Sequence, residues 1–540
     1  MKTYNKFIVA LMGAGLMTLS SCHMDIGPQT SMKADMDSII NDNLTLEAME
    51  RGMYTSFRST YYGAASELPE FMCDGFNATA NYGNNMGPLH RTDASFTASD
   101  QDTEVPWANY YGAIKNYNIF LQHAERFLTT PNLPEATLMV GKRGIAEAKF
   151  FRAVAYLSLV RTYAKAYDKA TAATELGVPL VLVYDQKAKP ARATVQQVYD
   201  QIFKDLNEAS DSLLVCAKYF YSKNDATNFY AIYGKKGVTQ NIHVSLAAVD
   251  AMLARYYLDT QDYENAAAAA EAVIEANQGY TLASDKAAME AEYENDNGTE
   301  SIMQLPATLT ENGSGTNSYY TRADYYSALA GAGYPGGGIY LEPYYLPSQK
   351  LIDLYDKKND LRFAQWFVSN ADYTIYLSGY FLTANRFPLY AFGKYFGNPE
   401  LNSDGIPNAR QHVKPFLIGE QYLIAAEAYA MKGDVANAKK YLNLLQEARG
   451  AEATDGTMEF IKTEWFKETV GEGLRMSCLK RWNDGYTGRA LQPGLGEYGM
   501  ADTGTNYDGK EMKADDVHWQ WPIPAYEIRV NDNLKQNDGY

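Results

Sequence analysis

The residue types that most often carry catalysis or bind metal are present in this chain, but their spacing matches no known site. The six histidines are scattered, and none lies in an H-E-x-x-H or C-x-x-C setting. The sequence therefore predicts no structural metal. Asp and Glu are abundant, and a glycosidase needs only two of them, yet no pattern selects a pair. No residue pattern therefore indicates a catalytic site, and we predict no cofactor.

One glycine pattern, G-A-G-Y-P-G at 331–336, formally matches a dinucleotide-binding turn. Such a turn must follow a strand and open a helix. A proline and further glycines follow instead, with no helical pattern. The pattern therefore does not predict a nucleotide site.

Tyrosine is unusually frequent, with 44 Tyr against 21 Phe and 6 Trp. A buried tyrosine hydroxyl needs a hydrogen-bond partner, so an excess of tyrosine suggests rings that are partly exposed to water. Partly exposed rings suit flat, polar-rimmed ligands such as sugars or peptides. Most of these tyrosines are still expected to pack between helices.

Two irregular segments place tyrosines where no helical stripe requires them. Asn81 and Tyr82 lie in the turn-rich loop N-Y-G-N-N. Tyr319, Tyr320 and Tyr334 lie in glycine-flanked sequence further along the chain. We predict that these five residues meet in a ligand-binding site, each ring stacking on the ligand. The alternative for each tyrosine is packing on a neighbouring helix.

The N-terminus carries the most specific chemical signal. Lys2 and Lys6 precede an apolar run from Phe7 to Leu19, which is followed by Ser-Ser and Cys22. The run is too short to span a bilayer, which takes about 20 apolar residues. This layout resembles a bacterial lipoprotein signal, in which the cysteine becomes the lipid-bearing N-terminus. We expect residues 1–21 to be removed; the alternative is a plain secreted protein with an incidental cysteine.

Charge and cysteine content narrow the possible partners. The net charge is −17, and removing the leader with its two lysines makes the body more acidic. Such a body is not expected to bind nucleic acid or to adhere electrostatically to anionic lipid, so membrane attachment would rest on the lipid anchor. Apart from Cys22 the chain has three cysteines, and this odd number does not predict a disulfide framework.

Helical periodicity dominates after a tether at 22–45. Apolar stripes predict amphipathic helices over 107–128 and 141–166. The segment L-G-V-P-L at 176–180 predicts an extended break, and Thr194 predicts an N-cap for a helix over 195–214.

An internal repeat gives the clearest organisation. The segments A-R-Y-Y-L-D-T-Q-D-Y-E-N-A at 254–266 and A-E-A-Y-A-M-K-G-D-V-A-N-A at 426–438 align without a gap. Each reads as a helix, a short turn and an alanine-rich second helix. Paired helices of this kind resemble tetratricopeptide units, which stack to bury a shared core. The predicted fold class is therefore mostly α.

We predict one domain over 46–540. Its helical scaffold would comprise 46–280 and 411–490, and its C-terminal segment 491–540 would dock on the body. Between the scaffold parts, 281–410 is rich in Gly, Asn, Pro and Tyr with little periodicity. A long irregular segment with many aromatics suggests an ordered binding insertion.

Several stretches together resemble the SusD/RagB family of outer-membrane lipoproteins. Their order extends over almost the whole chain after the leader: YGAIKNYN at 111–118, EAKFFRA at 147–153, GVPL at 177–180, AEAY at 426–429, EGLR at 472–475, LKRW at 479–482, WPIP at 521–524 and NDNLKQNDGY at 531–540.

The resemblance implies a helical, non-catalytic protein on the outer membrane, at the cell surface, partnered with a SusC-like TonB-dependent transporter. It implies capture of glycans, or of peptides in the RagB branch. It also implies that ligand aromatics come from an N-terminal loop and a central insertion. A flat Asn/Tyr-rich shelf would favour a sugar ligand, and a deep closed cavity would favour a peptide. Two acids about 5–10 Å apart in a cleft would instead indicate a lipid-anchored glycan-degrading enzyme. A purely structural assembly protein would present no aromatic site.

Overall fold

The structure is a computed structural model. It describes residues 39–61, 64–237, 242–276, 278–309, 320–326, 338–385, 387–497 and 510–540. Within those residues, no helix combines the length and the apolar character that crossing a membrane would require.

The described chain is mostly helical, as predicted. The helices are α1 (Asn43–Tyr61), α2 (Ala64–Met72), α3 (Gly87–Arg91), α4 (Gln101–Phe127), α5 (Glu135–Tyr163), α6 (Val195–Ser222), α7 (Ala226–Tyr233), α8 (Leu246–Asp259), α9 (Tyr263–Glu275), α10 (Lys286–Tyr293), α11 (Gln349–Ile352), α12 (Leu361–Trp366), α13 (Ile418–Met431), α14 (Val435–Ala448), α15 (Met458–Glu468), α16 (Arg475–Trp482) and α17 (Ala525–Val530).

The strands are short. They are β1 (Phe76–Ala78), β2 (Leu176–Pro179), β3 (Arg192–Thr194), β4 (Ser301–Leu305), β5 (Arg322–Tyr326), β6 (Gly338–Glu342), β7 (Tyr345–Pro347), β8 (Phe367–Ser369), β9 (Thr374–Leu377), β10 (Tyr380–Leu382), β11 (Tyr390–Phe392), β12 (Val413–Leu417), β13 (Tyr486–Thr487) and β14 (Glu511–Met512).

Three long helices, α4, α5 and α6, form the first half of the scaffold and contact one another in sequence order. Each is longer than its sequence pattern predicted. The predicted cap of α6 is confirmed, because the Thr194 hydroxyl accepts from the Gln197 backbone N–H and the Gln197 side chain accepts from the Thr194 N–H. This reciprocal capping box satisfies two of the free donors at the start of the helix.

The predicted repeat is confirmed as two helical hairpins, α8–α9 and α13–α14. The alanines at matching positions of the two segments are fully buried, and α9 packs against α13; they are Ala254, Ala266, Ala426 and Ala438. Asp262 and Asp434 cap the second helices through the N–H of the asparagine three residues later. The residue before each cap has a positive φ, +58° at Gln261 and +80° at Gly433.

A third copy of this turn joins α6 to α7 and was not recognised from the sequence. Asp225 accepts from the Asn228 N–H, and Asn224 before it has φ +57°. The shared signature is Asp-x-x-Asn after a residue in the left-handed region, with α7 a single short helix. Its alanine content is low, which is why the alignment of alanine-rich units did not detect it.

The insertion contains more regular structure than its composition suggested. Strands β10, β9, β6 and β5 form a four-stranded sheet in that order, with β6 and β9 parallel and the other pairs antiparallel. Two ladders connect the insertion to the scaffold: β1 with β7, and β4 with β12. This sheet positions the site described below.

The C-terminal residues 510–540 lie against the end of α5. The Trp521 N–H donates to the Thr162 carbonyl oxygen at 3.1 Å, and the Asn537 amide donates to the Tyr163 carbonyl oxygen at 2.8 Å. Arg192 donates to the Lys535 carbonyl oxygen at 3.0 Å. The bonds from Trp521 and Asn537 satisfy free carbonyl groups at the end of α5.

Candidate ligand-binding site

The four-stranded sheet has one buried face and one partly exposed face. Leu341, Ile375, Leu377 and Leu382 point inward and are buried. Side chains alternate along a strand, so the residues between them point the other way. That outward face carries three partly exposed rings, Tyr340, Tyr376 and Phe381, which we call the aromatic shelf.

The rings of the aromatic shelf form one group. The centroid of Tyr340 lies 5.7 Å from that of Tyr376 and 5.8 Å from that of Phe381, and the last two are 5.0 Å apart. Their planes are inclined to one another by 49° to 87°. Such packing limits ring motion, so a ligand that stacks there orders little side-chain freedom.

Charged groups border the aromatic shelf on the β5 side. Asp324 pairs opposite Tyr340 and Arg322 pairs opposite Glu342, which places all four side chains on the same face. Arg322 lies 3.5 Å from Asp324. Burial, followed by the charges of Asp324 and Glu342, raises the pKa of Tyr340. The Tyr340 hydroxyl therefore stays protonated at neutral pH and keeps its donor hydrogen.

The loop at 80–85 is attached to the aromatic shelf by Asn81. The Asn81 side-chain N–H donates to the Tyr376 carbonyl oxygen at 2.8 Å, and its oxygen accepts from the Ser378 N–H at 2.9 Å. Ser378 and Gly379 both have positive φ, which is the pattern of a tight two-residue hairpin turn between β9 and β10. Asn81 thus holds the hairpin that carries two shelf rings, and its amide is already used within the protein.

Tyr82 is partly exposed and follows Asn81 directly. Its ring meets Tyr345 edge to face at 6.3 Å, and its hydroxyl donates to the Asn84 side-chain oxygen at 3.3 Å. A positive φ at Gly83 ends the short turn that presents it. Tyr82 therefore lies on the predicted loop beside the aromatic shelf with part of its surface accessible.

Tyr320 is a correction to the predicted site. It is 0% exposed and packs among Phe71, Phe76 and Phe392 at centroid distances of 4.8 to 4.9 Å. A ring without accessible surface cannot stack on a ligand, so Tyr320 belongs to the core. The cause is its position two residues before β5, where both Tyr320 and Thr321 are buried.

The remaining predicted residues, Cys22, Tyr319 and Tyr334, lie outside the described residues. Sequence reasoning missed all three rings of the aromatic shelf. The available signal was the alternation in G-I-Y-L-E at 338–342 and T-I-Y-L at 374–377, where a tyrosine stands between two aliphatic residues. The surrounding glycine-rich sequence obscured these short strands.

Comparison with known proteins finds two family models that match this chain. A family model described as "SusD family" matches residues 383–540, and one described as "Starch-binding associating with outer membrane" matches residues 23–234. The two segments together cover more than half of the chain. No curated protein matches the chain in sequence.

Solved structures share the fold. A SusD superfamily protein from Bacteroides thetaiotaomicron VPI-5482 has a TM-score of 0.69 and 22% identity, covering 91% of this chain and 99% of its own. A putative sugar binding protein from Bacteroides vulgatus ATCC 8482 has a TM-score of 0.68 and 22% identity, covering 93% and 100%. A laminarin binding SusD-like protein has a TM-score of 0.66 and 20% identity, with the same coverage.

The family models, the tetratricopeptide-like hairpins and the segment order therefore lead to one conclusion. The chain belongs to the SusD family.

Proposed function

We propose that this protein captures glycans on the aromatic shelf, without catalysis, and delivers them to a SusC-like TonB-dependent transporter in the outer membrane. The C–H face of a sugar ring would pack on Tyr376 or Phe381. The Tyr340 hydroxyl and the charged border would bond the sugar hydroxyls. Tyr82 would extend this surface from the loop at 80–85, and Tyr319 and Tyr334 stay predicted members of the site.

The observation that carries the proposal is the form of the described site. Three mutually packed, partly exposed rings lie together on one face of the sheet, beside charged side chains. Flat sugar faces fit such a shelf, whereas a peptide in extended form needs a groove with side-chain pockets. The arrangement of these rings therefore favours a glycan over a peptide as the ligand. Two proteins of similar structure, a putative sugar binding protein and a laminarin binding protein, support the same choice.

Alanine substitution of shelf rings tests the proposal. A panel of soluble α- and β-glucans and other oligosaccharides is titrated calorimetrically into the full chain to find a binding glycan. We expect Tyr376→Ala or Tyr340→Ala to cost about 1–3 kcal/mol of binding, the scale for one stacked aromatic. That cost is about a tenfold to hundredfold loss of affinity.

Tyr325→Ala is the matched control. Tyr325 is 56% exposed on β5 of the same sheet, but alternation points it to the opposite face. The Tyr325→Ala variant should bind the glycan with the same affinity as wild type. Unchanged affinity in both shelf variants, with unchanged melting temperatures, would show that the ligand binds elsewhere.

The anchor is tested separately. We expect mass spectrometry of the mature protein to find Cys22 as the first residue, carrying acyl chains, because it ends a lipoprotein-type leader. A Cys22→Ala protein should leave the membrane fraction. If that variant still partitions fully with the outer membrane, the anchor assignment is wrong.

The transporter partnership is tested by isolating the protein from native membranes in mild detergent. A TonB-dependent barrel should copurify in near-equal amount. Recovery of the protein alone would count against delivery while leaving glycan capture intact, because calorimetry measures capture without the partner.

A further inference from the structure

A cavity of about 510 Å³ lies on the scaffold, away from the elements that build the aromatic shelf. It is bordered by α1, the start of α5, the segment before α8 and the end of β4. Its lining includes Glu50, Tyr54, Arg58, Arg143, His243 and Pro306. The glycan proposal uses none of these residues.

Three metal-binding side chains converge beside this cavity. His243 Nδ1 lies 3.1 Å from Glu147 Oε1 and 3.5 Å from Glu50 Oε1, and one ligand atom from each residue lies within 4.8 Å of the others. Ligands at about 2.1 Å from a tetrahedral ion are separated by about 3.4 Å. The two imidazole–carboxylate separations therefore fit a shared ion.

The neighbouring protein groups do not complete the bonding of these acids. Glu147 is 0% exposed, and its Oε2 has no hydrogen-bond partner among the described residues. Arg143 is the nearest cation, but it stays 3.7 Å from Glu50 and 3.8 Å from Glu147, longer than a hydrogen bond. Two buried carboxylates this close repel each other unless a cation or a proton lies between them. An unbonded oxygen on a fully buried acid points to a missing ligand.

We propose that Glu50, Glu147 and His243 bind one divalent transition-metal ion of the Zn²⁺ type. One imidazole nitrogen with two carboxylate oxygens suits Zn²⁺ and its neighbours better than Ca²⁺, which prefers six or more oxygen ligands. Three protein ligands leave a fourth position open toward the cavity. The Tyr54 ring meets His243 edge to face at 5.7 Å and limits its rotation.

The ion would join three separate parts of the scaffold. Glu50 lies on α1, Glu147 on α5, and His243 precedes α8. A ligand that binds the folded state and not the unfolded state raises the melting temperature. We therefore expect Zn²⁺ to stabilise the whole protein.

The test uses the full chain purified in detergent and stripped with a chelator. Co²⁺ should produce visible d–d absorption that saturates at one equivalent, and Zn²⁺ should abolish it and raise the melting temperature. His243→Gln and Glu147→Gln should each weaken Zn²⁺ binding at least tenfold. His243 is 30% exposed at its side chain, so its replacement should leave the metal-free melting temperature close to that of wild type.

The matched control is His518→Gln, which removes another histidine–carboxylate pair, His518 with Asp516 at 2.6 Å. Among the described residues, no third ligand completes a metal-binding group there. This variant should bind Zn²⁺ as wild type does. The proposal is overturned if wild type gives neither Co²⁺ absorption nor a Zn²⁺-dependent melting shift, in which case a shared proton holds the two acids together. It is also overturned if His243→Gln binds as tightly as wild type.

Discussion

At the residue scale, buried arginines join distant parts of the scaffold. Arg449 is 0% exposed and donates to both Glu300, at 2.9 Å, and Glu468, at 3.2 Å, as well as to the Ala283 carbonyl oxygen. Arg362 bonds the same Glu468 at 2.8 Å. The planar fork of a guanidinium makes such multiple contacts possible, so lysine would not substitute well.

Arg449→Met should destabilise the protein strongly. The variant leaves Glu300 and Glu468 buried with less compensating charge, and removing one partner of a buried ion pair costs about 3–5 kcal/mol. Urea denaturation followed by circular dichroism measures the loss. Arg51→Met is the control, because Arg51 forms only an exposed contact with Glu47 at 3.9 Å and should denature as wild type does. Equal midpoints for the two variants would contradict this role of Arg449.

At the scale of elements, the repeated hairpins depend on their aspartate caps. Asp262 satisfies the Asn265 N–H and also accepts from the Asn265 side chain at 2.7 Å. The Asp262 N–H donates back to the Tyr257 carbonyl oxygen at 2.8 Å, which closes the turn. One residue thus closes the end of α8 through its backbone N–H and caps the start of α9 through its side chain.

Asp262→Ala should lower the free energy of unfolding by about 1 kcal/mol, the usual cost of losing an N-cap. Asp262→Asn should restore most of the loss, because an amide oxygen also caps well. Thermal denaturation of both variants beside wild type checks this prediction. If asparagine is as damaging as alanine, the carboxylate charge rather than the cap geometry stabilises the turn.

At the scale of the whole molecule, buried acids make stability depend on pH in two directions. Burial raises the pKa of Glu70 to about 7, and burial with the charge of Asp100 raises that of Asp102 to about 7. Burial also raises the pKa of Glu468, but the charges of Arg449 and Arg362 outweigh burial and lower this pKa to about 2.

The direction in which each acid changes stability with pH depends on whether the folded or the unfolded chain binds its proton more tightly. An acid with a raised pKa holds a proton in the folded state that the unfolded chain has lost, so stability falls as pH rises from about 4.5 to 7. Glu468 contributes stability above its unfolded pKa and loses it as pH falls toward 2. The free energy of unfolding should therefore be highest in mildly acidic solution.

Glu70→Gln tests the alkaline side of this profile. The amide oxygen can still accept from the Gly473 N–H, as Glu70 does at 3.0 Å, but it no longer titrates. We expect the variant to lose much less stability between pH 4.5 and 7.5, with a difference on the order of 3 kcal/mol. Urea denaturation across that range provides the measurement. Parallel profiles for variant and wild type would show that Glu70 does not control this slope.

Local sequence signals predicted the helical part of the fold well. The apolar stripes of α4 and α5, the Thr194 cap and the two Asp-capped hairpins all depend on residues within a few positions of one another. The strands of the insertion were not predicted, because each has only three to five residues and depends on partners far away in the sequence.

The candidate site was likewise predicted only in part from the sequence. Composition and glycine-rich sequence located the tyrosine-rich insertion, but only long-range packing decided which rings are accessible. Tyr320 and Tyr340 lie in similar local sequence, yet one fills the core and the other lies on the aromatic shelf. Asn81 was expected to face the ligand, and its amide instead holds the β9–β10 hairpin.

By itself the sequence determined the helical hairpins and the family, because each is encoded in contiguous residues or in their order, and the same kind of local signal predicts the leader before Cys22. Only the tertiary structure decided the partnerships of residues far apart in the chain. It brought Glu50, Glu147 and His243 together beside one cavity and assembled the aromatic shelf from β6, β9 and β10. Side-chain accessibility depends on what the rest of the chain covers, and no local pattern encodes that.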